Sequence, residues 1–488
     1  MDGATRPVVR TRHGWVRGFR AGSVEIFRGV PYGRIRERFR PAEPPEPWDD
    51  IRDAGSFGPM APQNGADDRQ LWEDPRIGRY VTGGRAQELI DAQVAAAEDC
   101  LVLNVLTPAR GGERPVMVFL HGGGLDVGSG TEQTLSERFV QEQDVVLVTV
   151  NHRLNAFGFL YLGELSGDYP IGNVGLLDLV LALEWVRGNI AKFGGDPGRV
   201  TIFGPSGGGT KVLSLLGMPA AAGLFHRAIV HSAGPPTPVH PAVATATSKE
   251  LLTRLDADID DLPKVPVAAI RRAMKAGGRL RFRTVVDGHT ITEPIWRSTV
   301  PEPARGIPLI IGNCRDEMSL FAGFSELDPA VLLPKLAAST GLPVRDLAPV
   351  VEVFRAGRPT ASARDVFLAV MSARLQAVGI AIAEMHSGPA YHYRFAFDSG
   401  IADLGAFHTA DVPLCTRLVL RPEAEPLSRV MSAAWAAFAR TGNPGLPGWQ
   451  PYGPDRTTMV FGADVHAVAD LAAAEREAVA ALPPLSNG

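Results

Sequence analysis

Thr201-Ile202-Phe203-Gly204-Pro205-Ser206-Gly207-Gly208-Gly209-Thr210 decides the reading of this chain. Val200-Thr201-Ile202-Phe203 is β-branched and aromatic, as a buried strand requires, and Lys211-Val212-Leu213-Ser214-Leu215-Leu216 continues as a helix. Between them the pattern G-x-S-x-G predicts a sharp turn with Ser206 at its apex. Gly204 and Gly208 provide the clearance that a side chain would block, so the serine oxygen is pushed into the open. Such a turn makes a nucleophile.

A serine hydroxyl is a weak nucleophile at neutral pH, so it needs a base, an acid to orient that base, and donors for the oxyanion. In elbows of this kind the acid and the histidine follow the serine, on loops at the ends of later strands. Gly312-Asn313-Cys314-Arg315-Asp316-Glu317 follows the apolar run Pro308–Ile311 and offers two adjacent carboxylates. Among eleven histidines, His408 in Gly405-Ala406-Phe407-His408-Thr409-Ala410-Asp411 is distinguished by its place after the strand-like segment 391–397. His121-Gly122-Gly123-Gly124-Leu125 follows the strand-like run 116–120, and its unshielded amides can face an anion together with the amide of Gly207.

Working outward, short apolar runs at 101–105, 116–120, 145–150, 228–230, 308–312 and 391–395 read as strands covered on both faces. Leu176 to Phe193 reads as a helix with Leu177, Leu181 and Trp185 on one face and Gly194-Gly195 as its stop. Residues 322–386 read as helices that could cap a site. The alternation predicts an α/β fold. With 488 residues, 45% of them hydrophobic, and no linker of biased composition, one continuous catalytic domain over 1–488 is expected.

A net charge of −4 gives no footprint for nucleic acid. No uninterrupted run of eighteen apolar residues is present and Met1 to Arg6 lacks an apolar signal region, so no membrane partner and a cytoplasmic location are expected. The three cysteines, Cys100, Cys314 and Cys415, are too scattered for a disulfide framework or metal-ligand spacing. No metal or organic cofactor is called for.

Taken with Gly14–Gly18, Phe27–Tyr32, Glu98–Val105, Asn173–Asp178 and Phe193–Pro197, these motifs resemble the carboxylesterase type B family of the α/β-hydrolases, in its bacterial para-nitrobenzyl esterase-like form. The resemblance covers nearly the whole length. It implies a central, mostly parallel sheet with helices on both faces and helical cap segments, and a Ser-His-Glu triad of Ser206, His408 and Glu317. It places the oxyanion hole on Gly123, Gly124 and Gly207. The expected reaction is ester cleavage through an acyl-enzyme on a small-molecule substrate, with pocket walls from segments 60–95, 125–130, 235–300 and 320–390. Carbamate, amide or lactone hydrolysis and biosynthetic acyl transfer use the same triad. A catalytically silent binding protein of this fold is a further alternative, but such relatives typically lack the serine and carry secretion signals.

The chain departs from the family pattern at five places. Pro205 stands where glutamate is common, Gly207 where alanine is usual, and Met318 where glycine commonly follows the acid. Ala61 stands where secreted relatives carry the cysteine that pairs with the equivalent of Cys100. Lys211 puts a cation at the positive end of the helix behind the elbow, which is mildly unfavourable unless paired.

Overall fold

The computed structural model describes residues 6–64, 77–78, 95–108, 111–131, 136–324 and 326–485. Most of the expected wall segment 60–95 therefore lies outside the described residues. The first strands are β1 (Val8–Arg10), β2 (Trp15–Arg17), β3 (Phe19–Ala21), β4 (Val24–Pro31) and β5 (Ile51–Asp53). Next come β6 (Val102–Thr107), β7 (Arg114–Leu120), β8 (Val146–Val150), β9 (Gly195–Pro205) and β10 (Arg227–His231). The remaining strands are β11 (Leu309–Cys314), β12 (Ala390–Phe395), β13 (Thr458–Phe461) and β14 (Val465–Val468).

Strands β1, β2 and β5 form a small sheet, and the other eleven pair in the order β14-β13-β12-β11-β10-β9-β7-β8-β6-β4-β3. From β13 through β8 every neighbouring pair is parallel; antiparallel pairs close both edges. All six runs expected to be strands lie in this sheet, with ends shifted by one or two residues.

The apolar runs are continuous because each strand feeds two cores. Val116, Val118 and Leu120 of β7 point into one cluster with Val146, Val148, Ile202, Val230 and Ile311. Met117 and Phe119 point into the other with Leu147, Phe203, Ile229 and Ile310. Side chains alternate along a strand, so a sheet covered on both faces leaves few positions for polar residues.

The helix expected at 176–193 spans Val174–Asn189, with a 3₁₀ turn to Phe193, and Gly194 ends it at φ 82°. Its deepest face is not the expected stripe. Leu176, Leu179, Leu183 and Val186 are fully buried, whereas Leu177 and Leu181 pack at the margin of the core. The helix is apolar nearly all round, so a four-residue spacing could be drawn through more than one face. Asp178 on this helix grips Arg153 through two guanidinium contacts of 2.6 and 2.8 Å, locking it to the chain leaving β8. Both are buried, so the pair is paid for only by its good geometry.

Helices Leu332–Thr340, Val344–Ala356 and Ala363–Met385 occupy the region expected to be helical and share their own apolar cluster with Val479 and Leu482. Ala363–Met385 is long and apolar enough on average to cross a membrane, but Arg374 and Gln376 interrupt it, and both are buried within the protein.

Strand β9 then runs into the helix Gly207–Leu216 through Ser206, whose backbone sits at φ 54°, ψ −121°. A Cβ on Gly204 would collide with the Leu120 carbonyl oxygen and lie 2.9–3.0 Å from Gly208. Gly204→Ala should therefore cost about 1–3 kcal/mol through overpacking. Urea unfolding checks this, and an unchanged midpoint would mean that β7 and β9 separate freely at this end.

Candidate active site

The carboxyl ends of the parallel strands collect the residues singled out in the sequence. Ser206 follows β9, the glycine loop follows β7, Asp316 and Glu317 follow β11, and His408 lies in the loop beyond β12. In open α/β sheets, sites form at this edge because every βα loop leaves there.

The Ser206 amide donates to the carbonyl of His231, 2.8 Å away at the end of β10, and Thr210 donates back to the Ser206 carbonyl at 3.0 Å. These bonds hold a backbone conformation that a non-glycine residue rarely adopts. Gly207 packs directly on Gly124, so that a Cβ at 207 would collide with its backbone nitrogen, Cα and oxygen.

Two glycines give the loop its path, Gly123 at φ 84° and Gly124 at φ 67°. The Gly123 carbonyl accepts from the amides of Asp126 (3.3 Å) and Val127 (3.1 Å), and the Gly122 carbonyl accepts from His121 Nδ1 at 2.9 Å. Gln63 clamps Gly128 from both sides, accepting its amide at 2.8 Å and donating to its carbonyl at 3.1 Å. Asn155 reaches the Asp126 carbonyl at 3.1 Å. Burial, followed by the Lys211 charge, pushes His121 well below the usual histidine range, so this ring stays neutral and serves as a fixed donor. Lys211 is itself buried, and its Nζ donates to the His121 carbonyl at 3.0 Å, so the unfavourable helix-end cation has a partner.

The two adjacent carboxylates separate cleanly. Glu317 is fully buried; its Oε1 accepts the Cys314 amide at 2.8 Å and Asn313 Nδ2 at 3.1 Å, and its Oε2 meets His408 Nδ1 in a short hydrogen bond. Asp316 turns the other way, held by Arg315 Nη2 at 2.7 Å and by the Ala406 amide at 2.8 Å. Its own amide donates to the Ala406 carbonyl at 2.9 Å, so Asp316 staples the acid loop to the histidine loop. Cys314 lies beside the acid through its backbone. With Nδ1 donating to Glu317, the His408 Nε2 is the acceptor of the neutral ring.

Sequence reasoning missed what lies beneath. His231 Nδ1 donates to Asp411 Oδ2 at 2.8 Å, Tyr393 donates to the same oxygen at 2.6 Å, and Trp435 Nε1 donates to His231 Nε2 at 3.3 Å. His231 thereby joins the strand end that holds Ser206 to the loop that carries His408. Its only signal in the sequence was its position at the end of an apolar run. His231, Asp411 and Cys415 lie close enough together to hold a metal ion. Their ligand atoms are largely committed, however: the histidine and carboxylate bond each other, and burial raises the Cys415 thiol well above its usual range.

Residues 5–332 match the Carboxylesterase family profile. The chain belongs to the carboxylesterase family. It is 32% identical to the para-nitrobenzyl esterase of Bacillus subtilis (strain 168), over 94% of this chain and 96% of that protein. The phenmedipham hydrolase of Pseudarthrobacter oxydans is likewise 32% identical, with the same coverage of both chains. A carboxylesterase of Geobacillus stearothermophilus superposes with a TM-score of 0.81 at 32% identity, covering 97% of this chain and 100% of that one. The fold is that of the α/β-hydrolases, and the protein is a carboxylic ester hydrolase acting on small-molecule esters.

Burial alone would raise the Asp411 pKa, but the interaction with His231 and the hydrogen bonds from His231 and Tyr393 outweigh it, and the net shift is downward. A carboxyl depressed in the folded state stabilises fully above its unfolded pKa and loses that contribution as pH falls through the folded value. Asp411→Asn should destabilise the protein by about 1.5–3 kcal/mol at neutral pH, the usual worth of a hydrogen bond to a charged group. The gap from the parent protein should narrow below about pH 4. Urea unfolding across that range tests both statements; a gap independent of pH would assign the loss to packing alone.

Proposed function

We propose that Ser206, His408 and Glu317 form the catalytic triad and that the amides of Gly123, Gly124 and Gly207 form the oxyanion hole. The observation that carries this reading is the Glu317–His408 hydrogen bond, which fixes the imidazole with Nε2 as its acceptor, at the same sheet edge as the half-buried Ser206. In a trans peptide the N–H points opposite to the preceding carbonyl. The carbonyls of Gly122 and Gly123 are occupied by His121, Asp126 and Val127, which favours amides of Gly123 and Gly124 directed away from those partners. Gly207, in contact with Gly124, supplies the third amide.

His408 Nε2 takes the Ser206 proton as Oγ adds to the ester carbonyl, and the three amides stabilise the oxyanion. The tetrahedral intermediate collapses with cleavage of the carbonyl–alkoxide bond, and His408 delivers its proton to the leaving alcohol. Water then attacks the acyl-serine, with His408 again as base, and releases the carboxylic acid. Glu317 holds the imidazole in its working tautomer and stabilises the imidazolium. These steps need only the side chains named and water. The cytoplasm is the compartment we favour, supported by the three buried, unpaired thiols and by Ala61.

Ser206→Ala should lower kcat for a chromogenic acetate or butyrate ester by about 10⁴-fold or more while leaving the melting temperature close to that of the parent. Near-normal turnover by the folded variant would remove the central assignment. Glu317→Gln should lose much more kcat than Asp316→Asn, because only Glu317 touches the imidazole; the reverse order, in two folded proteins, would exchange their roles.

A further inference from the structure

Away from the triad, between the helix Ala363–Met385, the helix Ala473–Ala480 and the segment that follows it, lies a cavity of about 250 Å³. Much of its wall is apolar, from Ala377, Ile380, Leu471, Val479, Leu482 and Leu485. Two arginines also line it, Arg374 from the long helix and Arg394 from β12. Arg374 is only 4% exposed, and one of its terminal nitrogens donates to the Pro483 carbonyl at 3.2 Å. Among the described residues its Nε is buried without a partner, and so is that of Arg394.

The acidic residues of the wall are already engaged. Glu475 is held by Arg358, with one contact at 3.0 Å, and Glu384 by Arg456 at 2.9 Å. The remaining cation, Arg476, is taken by Asp470 at 2.7 Å. Burial pulls Arg374 below the ordinary arginine range, and pulls Arg394 down to about 10 against the attraction of Glu317, Glu475 and Asp316. Both therefore stay charged at neutral pH. Buried donors left unmatched are costly, and a guanidinium pair is best matched by a carboxylate. The apolar wall next to them suits an aliphatic tail and not a hydrated inorganic anion.

We propose that this cavity is a binding site for a free medium-chain carboxylate, its head on Arg374 and Arg394 and its chain among Ile380, Leu471, Val479 and Leu482. Ser206, Glu317 and His408 are not among the residues that line it.

Titration calorimetry of the intact protein with octanoate tests it. One molecule should bind per chain, and Arg374→Met and Arg394→Met should each weaken binding by about tenfold or more, the usual worth of a charge-assisted hydrogen bond. Leu482→Trp fills the apolar end and should abolish binding without touching either arginine, which keeps the test open if an arginine variant fails to fold. Octanol, lacking the charge, and inorganic phosphate, lacking the tail, should both bind more weakly than octanoate. Absence of octanoate binding overturns the proposal. So does binding unaffected by all folded variants, which would place the ligand elsewhere, including the catalytic cleft, and so does phosphate binding as tightly as octanoate. Ester turnover in the same preparations reports the catalytic assignment independently.

Discussion

The catalytic edge depends on a backbone contact with no room for side chains. The Leu120 carbonyl occupies the space that a Cβ of Gly204 or Gly208 would need, and Gly124 occupies the space beside Gly207. Strand β7, strand β9 and the helix after Ser206 can converge this closely only because glycines stand at positions 204 and 208. Convergence brings the amides of one loop beside the serine of another. It also forces Ser206 to φ 54°, a strain that the His231 carbonyl and the helix that follows hold in place.

Around this contact, polar groups are fixed before any substrate arrives. Gln63 and Asn155 fasten the glycine loop, Asp316 joins the acid and histidine loops, and His231 with Asp411 links the histidine loop to the strand next to the elbow. Each is a bond between segments far apart in sequence, made at the end of a strand whose position the two apolar cores determine. Preorganisation of this kind stabilises developing charge because no dipole has to turn during the reaction. Stability and chemistry thus share one set of contacts.

The central strands, the elbow and the glycine loop were legible because local sequence dictates them: apolar runs for strands buried on both faces, and glycines where backbones touch. The choice between Asp316 and Glu317 was not legible from spacing, since adjacent residues in a loop point in different directions and only the folded loop shows that Arg315 claims the aspartate. Resemblance, and not residue chemistry, favoured the glutamate. The inner face of Val174–Asn189 was misread because a helix apolar nearly all round carries no single stripe. His231 was invisible because its significance lies in a partner 180 positions away.

Lys211 shows how a locally unfavourable choice becomes part of the site. A cation near the start of a helix opposes the positive end of the dipole, and burial adds a desolvation cost. Here the side chain turns back to the carbonyl of His121, the residue that opens the glycine loop. A carbonyl engaged by an ammonium is held in one direction, and the planar peptide then fixes the amide of Gly122 in the other. His121 repeats the device one residue later, its ring engaging the Gly122 carbonyl and fixing the Gly123 amide. The amides of Asp126 and Val127 do the same for Gly123 and Gly124. Three successive peptide planes are therefore oriented from behind by their carbonyls, which accounts for how a run of three glycines, the most flexible sequence available, is held in a single conformation beside the serine.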